Sequence, residues 1–353
     1  MTFNNFTYSS FERRVYFGVG KVDLLPGLLK AYQRPFLITG SSLRPYAEAL
    51  IRQVAPKPVV LFDEVIQHVP IQLVNKALAQ FNTQKADVLV AMGGGSTIGL
   101  AKAIVKEVDM PIIAVPSTYS GSEMTNIWGI RGETGKTTGR MTAVLPKIVV
   151  YDPQLSLRMP LSLAATSAMN AMAHLIEALY AVDGNPMTYH QSLLGMKTLV
   201  EGMTQLAQEQ ALSLEANEQL LLGASLAGAA LAEVSMALHH KTAHVLGGSF
   251  GMDHSKVHSV MQSYVLDYQW PFLSTRTQSD FQEVFQHEKP ALQLRELSKA
   301  MGNPTTLEEI NFRREDIPAA VEIMLQNPYP NPAPLSELGL TTLLTNAYAG
   351  ILA

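Results

Sequence analysis

Up to about residue 152 the chain alternates short apolar runs with stretches of helical spacing. The runs at 36–39, 59–62, 88–92, 112–115 and 148–151 are almost continuously apolar and rich in Val and Ile, which suits strands covered on both faces. Between them, residues 44–54, 71–83 and 97–108 place apolar side chains at helical intervals. Buried strands separated by helices predict an N-terminal α/β domain with a doubly wound parallel sheet. In such sheets ligands gather beyond the carboxyl ends of the strands.

After Asp152-Pro153 the pattern changes. From Leu163 onward Ala, Leu, Met, Glu and Gln recur at helical spacing, and no run reads as a strand. Asp183-Gly184-Asn185-Pro186 and the NPYPNP segment at 327–332 interrupt this pattern with turn-forming residues. The expectation is an α/β domain over 1–155 and an all-α helical domain over 156–353. A length of 353 residues and a hydrophobic fraction of 47% are enough for two cores.

Composition removes several functions. A net charge of −4 leaves no basic footprint for nucleic acid. The absence of cysteine excludes disulfides, thiolate metal sites and cysteine nucleophiles, leaving histidine, carboxylate and hydroxyl chemistry. No apolar run is long enough to cross a bilayer and the first residues carry no apolar leader core, so a cytoplasmic protein without membrane partners is expected.

Two loops carry nucleotide chemistry. Gly93-Gly94-Gly95-Ser96-Thr97 follows a predicted strand and opens a predicted helix. Glycines let the backbone approach a ligand closely, and a helix N-terminus offers unpaired N–H groups to a pyrophosphate. The segment is neither GxGxxG nor a P-loop, and a tight turn without a ligand is the plain alternative. Pro116-Ser117-Thr118-Tyr119-Ser120-Gly121-Ser122 follows the next strand, and its hydroxyls can reach phosphate or ribose if the sheet order brings it alongside.

Histidine supplies the second signal. Asn170 and His174 are four apart on one predicted helix, as are His240 and His244 on another, with His239 preceding and His254 following a Gly247-Gly248 break. Imidazoles spaced in this way converge for metal binding or proton transfer. His68, His190 and His287 show no such spacing.

In order and approximate spacing these features resemble the iron-containing (group III) alcohol dehydrogenase superfamily over nearly the whole chain. Phe11-Glu-Arg-Arg-Val-Tyr-Phe-Gly-Val-Gly20, Gly93-Gly-Gly-Ser-Thr-Ile-Gly99, Glu123-Met-Thr-Asn-Ile-Trp-Gly129, Leu238-His-His-Lys241 and Asn327-Pro-Tyr-Pro330 resemble its maleylacetate reductase group. The resemblance implies reduction of the conjugated C=C of maleylacetate, giving 3-oxoadipate, with NADH or NADPH as hydride donor. It also implies a homodimer acting on a small dicarboxylate.

The metal ligands of the superfamily correspond to Asn170, His174, His240 and His254. An amide there replaces the one carboxylate, so the site is expected to hold no metal. The resemblance implies that His240, His244, His174 and His254 stabilise an enolate and supply its proton, His244 lying near the nicotinamide in relatives. Asn170, Lys241 and Tyr119 are candidates for substrate contact, with Lys256 and His258 as further cations. Gly93 to Thr97, Ser117, Thr118 and Ser122 would hold the cofactor. Gly40-Ser41 would lie near the ribose without the usual acidic residue, Lys136 would touch the ribose, and Gly99 stands where many relatives carry Asp. A metal-dependent alcohol or polyol dehydrogenase is the chief alternative, followed by a lyase of the 3-dehydroquinate synthase type and a nucleotide-binding protein without catalysis.

Overall fold

The computed structural model describes residues 6–8, 10–133, 135–327 and 329–352, except for the Lys136 side chain. Its contacts divide the chain into two compact units, one over 10–159 and one over 160–353 that also takes in described residues 6–8. The division falls at Met159-Pro160, a few residues beyond the expected 155.

The first unit contains β1 (Arg14–Phe17), α1 (Leu25–Leu28), β2 (Pro35–Thr39), α2 (Arg44–Gln53), β3 (Val60–Phe62), α3 (Ile71–Gln84), β4 (Val88–Gly93), α4 (Gly95–Val105), β5 (Ile112–Pro116), β6 (Ile127–Gly132), β7 (Gly135–Arg140) and β8 (Ile148–Tyr151). Six strands form one sheet in the order β1-β8-β5-β4-β2-β3, every pair parallel. All residues of β2, β4 and β5 are buried, which explains their unbroken apolar sequences. Leu37, Val88, Val90, Ile113, Val115 and Val150 build the core on one face, against Leu25, Leu29, Ala47 and Leu50 of the helices.

The chain steps outward from β2 to β3 and then returns past β2 to β4. The order therefore reverses between β2 and β4, and this is where a doubly wound sheet opens a crevice beyond its strand ends. Two elements are absent from the sequence expectation. The edge strand β1 is short and only partly buried, and the antiparallel hairpin β6–β7 stands apart from the sheet with Arg131, Thr137, Thr138 and Arg140 exposed. Neither has the apolar run by which the central strands were read.

The second unit is helical: α5 (Leu161–Leu179), α6 (Pro186–Glu209), α7 (Leu214–Glu233), α8 (Leu238–Ser249), α9 (His254–Gln269), α10 (Thr275–Phe285), α11 (Pro290–Ala300), α12 (Ile317–Leu325) and α13 (Glu337–Ala349), with no strand among its described residues. The break at 183–186 is a helix start: Asn185 accepts from the N–H groups of Met187 and Thr188, and Pro186 occupies the first helical position. Ser213, Asp253, Ser274 and Ser336 cap α7, α9, α10 and α13 in the same manner. Leu246, Val257, Met261, Val321, Met324, Leu340 and Leu344 pack α8, α9, α12 and α13 around one core. No single helix among the described residues is long and apolar enough to cross a membrane.

Candidate active site

The glycine turn joins β4 to α4 beside the point where strand order reverses. Gly93 has φ 156°, and a Cβ added to it would lie 2.3 Å from Thr97 Oγ1. A Cβ on Gly94 would lie 2.9 Å from Thr118 Cγ2, and one on Gly95 would lie 3.1 Å from Ser120 Cβ. The second loop thus packs directly on the turn, as the pairing of Gly93 with Pro116 requires, and the Ser117 N–H donates to Gly93 O over 3.1 Å. No side chain caps α4; Gly94 O accepts the N–H groups of Thr97 and Ile98, and no side chain from the N-cap occupies the N-terminal end of the helix. Gly40 and Ser41 follow β2 on the other side of the switch point, where Thr39 Oγ1 donates to Met92 O over 3.0 Å. This is a cradle of the right construction for a pyrophosphate.

The histidines of the second unit assemble from three helices. His174 of α5 stacks on His240 of α8 with ring centroids 4.8 Å apart. His258 of α9 meets His240, His239 and His254 at 5.1, 4.8 and 4.5 Å, and His244 stacks on His254 at 5.7 Å. Polar contacts connect His254 Nε2 to His258 Nε2 at 3.1 Å, and His258 Nδ1 to His239 Nε2 at 2.7 Å. His244 and His254 are exposed, His174 and His240 nearly buried, His239 and His258 fully so. Burial first, then the neighbouring imidazoles, holds His174, His240 and His258 well below the usual histidine range, and His239 is pushed down to about 3.

Glu177 organises this cluster. It lies three residues beyond His174 on α5 and is wholly buried. One carboxylate oxygen accepts the His239 N–H (2.7 Å), while the other accepts the Ala237 N–H (2.9 Å) and contacts His240 Nδ1 (2.6 Å). Backbone donors at both oxygens make Glu177 an acceptor, so the shared proton belongs to Nδ1 and the His240 lone pair lies on Nε2. That Nε2 is buried without a partner, as is His174 Nδ1. Ala237 offers no side-chain cap to α8. Glu177 and Asn331 cap it from elsewhere in the chain, Asn331 Oδ1 accepting the Leu238 N–H at 3.3 Å. Asn331 is fixed in turn by Gln269, which also accepts the Ala333 N–H. Residues 331–333 are therefore a buckle on the helix that bears His239 and His240.

The structure brings together His174, His240, His244 and His254 as expected, with Asn170 half-buried one turn before His174. It adds His258 and Glu177. His258 follows His254 by four residues, and Glu177 is the one charged residue of α5, so both left a trace in the sequence. His258 is corrected as a candidate cation, since burial keeps its ring neutral. Tyr119 is fully buried, with its phenol pushed up by desolvation, and so presents no open surface to a ligand. Lys241 Nζ donates to Gln326 O at 3.0 Å and lies 5.7 Å from the centre of the Tyr329 ring. Lys256 is exposed on the first turn of α9. Ser117 is buried and Ser96, Thr118 and Ser122 are partly open beside the turn, whereas the Lys136 side chain lies outside the described residues. His68, His190 and His287 stay outside the cluster, His287 Nδ1 accepting the Lys289 N–H.

A divalent metal fits these residues poorly. Asn170 offers a neutral amide, His254 Nε2 is engaged by His258, and no three His, Asp or Glu side chains among the described residues are disposed to share one ion.

Both halves of the chain match the models of one family: residues 12–153 match iron-containing alcohol dehydrogenase, and 164–348 match the C-terminal part of the Fe-containing alcohol dehydrogenase family. The chain belongs to the iron-containing alcohol dehydrogenase family. Within it the likeness is to maleylacetate reductases. The chain is 38% identical to maleylacetate reductase 1 of Cupriavidus pinatubonensis over 348 residues, 98% of each chain. It is similarly 37% identical to the maleylacetate reductase of Delftia acidovorans, again over 98% of both. The crystal structure of maleylacetate reductase from a Rhizobium species superposes with a TM-score of 0.95 at 32% identity, covering 99% of this chain and all of that one.

Proposed function

We propose that this chain reduces maleylacetate to 3-oxoadipate with NADH or NADPH, as a step in the breakdown of aromatic compounds, and that it does so without a divalent metal. The observation that carries the reading is the buried Glu177–His240 pair, with Nε2 left unpartnered, in a chain whose full-length relatives are maleylacetate reductases. The glycine turn and the hydroxyl loop hold the pyrophosphate and adjoining ribose through Gly93, Gly94, Gly95, Ser96, Thr97, Ser117, Thr118 and Ser122. Gly40 and Ser41 place no carboxylate beside that cradle, so a 2′-phosphate meets no repulsion there.

NAD(P)H supplies the hydride when bound. In maleylacetate the alkene is conjugated with the ketone, so hydride addition at the distal alkene carbon leaves an enolate whose charge rests on the ketone oxygen. A hydrogen-bond donor can carry that charge without a Lewis acid. His240 is neutral in the free protein. Two substrate carboxylates reverse that balance by favouring the charged imidazole. Because Glu177 holds the proton on Nδ1, the second proton occupies Nε2 and hydrogen-bonds to the enolate oxygen. His174 and Asn170 flank the same oxygen, and His244 and His254, at the exposed end of the cluster, return a proton from solvent so that carbon can be protonated. Lys241 and Lys256 take the substrate carboxylates. The homodimer and the cytoplasmic location belong to this reading as family expectations.

The test is cofactor consumption by the purified chain, followed by absorbance, with maleylacetate present or absent and with excess chelator. Substrate-dependent oxidation of NADH or NADPH that survives chelation is expected. Activity lost to chelator and restored by Fe²⁺ or Zn²⁺ would instead identify a metal-dependent dehydrogenase.

A further inference from the structure

α4 carries a lysine where its sequence otherwise reads as a buried apolar helix. Lys102 is wholly buried. Its Nζ donates to the backbone oxygens of Ser122, Thr125 (2.7 Å) and Ile127 (3.0 Å), and to Thr125 Oγ1 (2.9 Å). Only an ammonium, all donor and no acceptor, suits a cage made of oxygens. Burying that charge carries a desolvation penalty even when it is balanced, and a methionine would avoid it only by leaving those oxygens without donors. The cation is therefore kept for its partners.

Those partners lie on the segment between β5 and β6 and on Ile127, the first residue of β6. Residues 117–126 run from β5 to β6 with a single short 3₁₀ turn at Ser122–Met124, so their carbonyls have almost no ladder to join. Interior carbonyls must find donors, and Lys102 supplies three of them at once. Gly95, Gly99 and Lys102 lie four and three residues apart on one face of α4. At Gly95 this face touches Ser120, and at Lys102 it grips the far end of the same segment. Burial lowers the lysine to about 7, and the carboxyl of Glu123, itself wholly buried and hydrogen-bonded by Tyr151 at 2.8 Å, opposes that shift.

We propose that Lys102 is a positioning residue for the cofactor: it fixes the 117–127 segment so that Ser117, Thr118 and Ser122 stand where the dinucleotide needs them. This rests on the reading that NAD(P)H lies on the glycine turn. The competing role is that Lys102 only balances the charge of Glu123.

The experiment is a fluorescence titration of the full chain with NADH, alongside steady-state kinetics and circular dichroism. Lys102→Met should raise the NADH Kd at least tenfold while kcat at saturating NADH stays within threefold. Glu123→Gln should leave Kd within threefold, and the double variant, which buries no charge and so remains folded if Lys102→Met does not, should bind NADH as weakly as Lys102→Met. Wild-type affinity in the double variant would overturn the proposal, because lysine would then act only as a counter-ion. Unchanged affinity in Lys102→Met beside weakened binding in Gly94→Val would also overturn it and leave the glycine-turn reading standing. Unchanged affinity in both would remove the cofactor from the turn and the proposal with it.

Discussion

Replacing Glu177 by glutamine tests the proposed chemistry most directly. The two side chains have the same shape, so the change is confined to charge and to one donor. Glu177 accepts from three groups: the Ala237 and His239 N–H groups and His240 Nδ1. A glutamine oxygen can keep the pair on one side, but its NH₂ then faces the remaining N–H. One buried donor loses its partner, which destabilises the protein by about 1–3 kcal/mol. The catalytic loss adds to this. The imidazolium that donates to the developing enolate exchanges a charged partner for a neutral one, worth about 1.5–3 kcal/mol, or roughly 10- to 150-fold in kcat. NADH binding should be unaffected, because the glycine turn belongs to the other unit. Steady-state kinetics with maleylacetate, an NADH titration and a thermal melt read the three quantities separately. A folded Glu177→Gln protein with kcat within twofold of the parent would refute the role given to the pair, as would a tenfold loss of NADH affinity with kcat intact.

Acid should weaken the fold steeply. His174, His239, His240 and His258 are all held below the value of 6.5 at which they take up protons once unfolded, so their contribution to stability is complete above that pH and is lost below it. Four such protons set a limiting slope of about 5 kcal/mol per pH unit, offset in part by the raised carboxyls of Glu123 and Glu177; denaturant titrations between pH 7 and 5 that show no slope would contradict the burial. Gly93→Ala forces a Cβ against Thr97 at a φ of 156°, and should lower stability by about 2 kcal/mol and weaken NADH binding together, which a melt and a titration would reveal. Asn331→Ala removes an acceptor of the Leu238 N–H and the pairing with Gln269, so a loss of about 1–3 kcal/mol is expected, with kcat reduced and NADH Kd unchanged. An equal loss of NADH affinity would show that the buckle does not act through α8.

Much of this was legible in the sequence, for physical reasons that can be named. The central strands announced themselves because burial on both faces leaves no room for polar residues at β2, β4 and β5. The histidine pairs four apart were visible because helix geometry alone brings them to one face. The hairpin β6–β7 was invisible because its two strands, IWGIRG and GKTTGR, are broken by glycines, the first being only partly buried and the second largely exposed, so neither carries an apolar run. Glu177, Lys102 and Asn331 escaped for another reason. Each is a polar side chain whose partners lie on other elements, from 20 to 93 residues away, and spacing along one helix cannot report such meetings. What the sequence did offer for Glu177 and Lys102 was their oddity: each is the one charged residue of its helix.

The capping of α8 by Asn331 also says something about when the reaction centre comes into being. The Leu238 N–H waits for an acceptor 93 positions downstream, so the cap of the helix bearing His239 and His240 is completed only after residue 331 has been made. Closing so long a loop is entropically slow and occurs late in folding. The glycine turn, by contrast, is built from neighbouring strands and a loop within one early stretch of chain. A growing or truncated chain can therefore acquire its nucleotide cradle well before it acquires an imidazole aligned for chemistry.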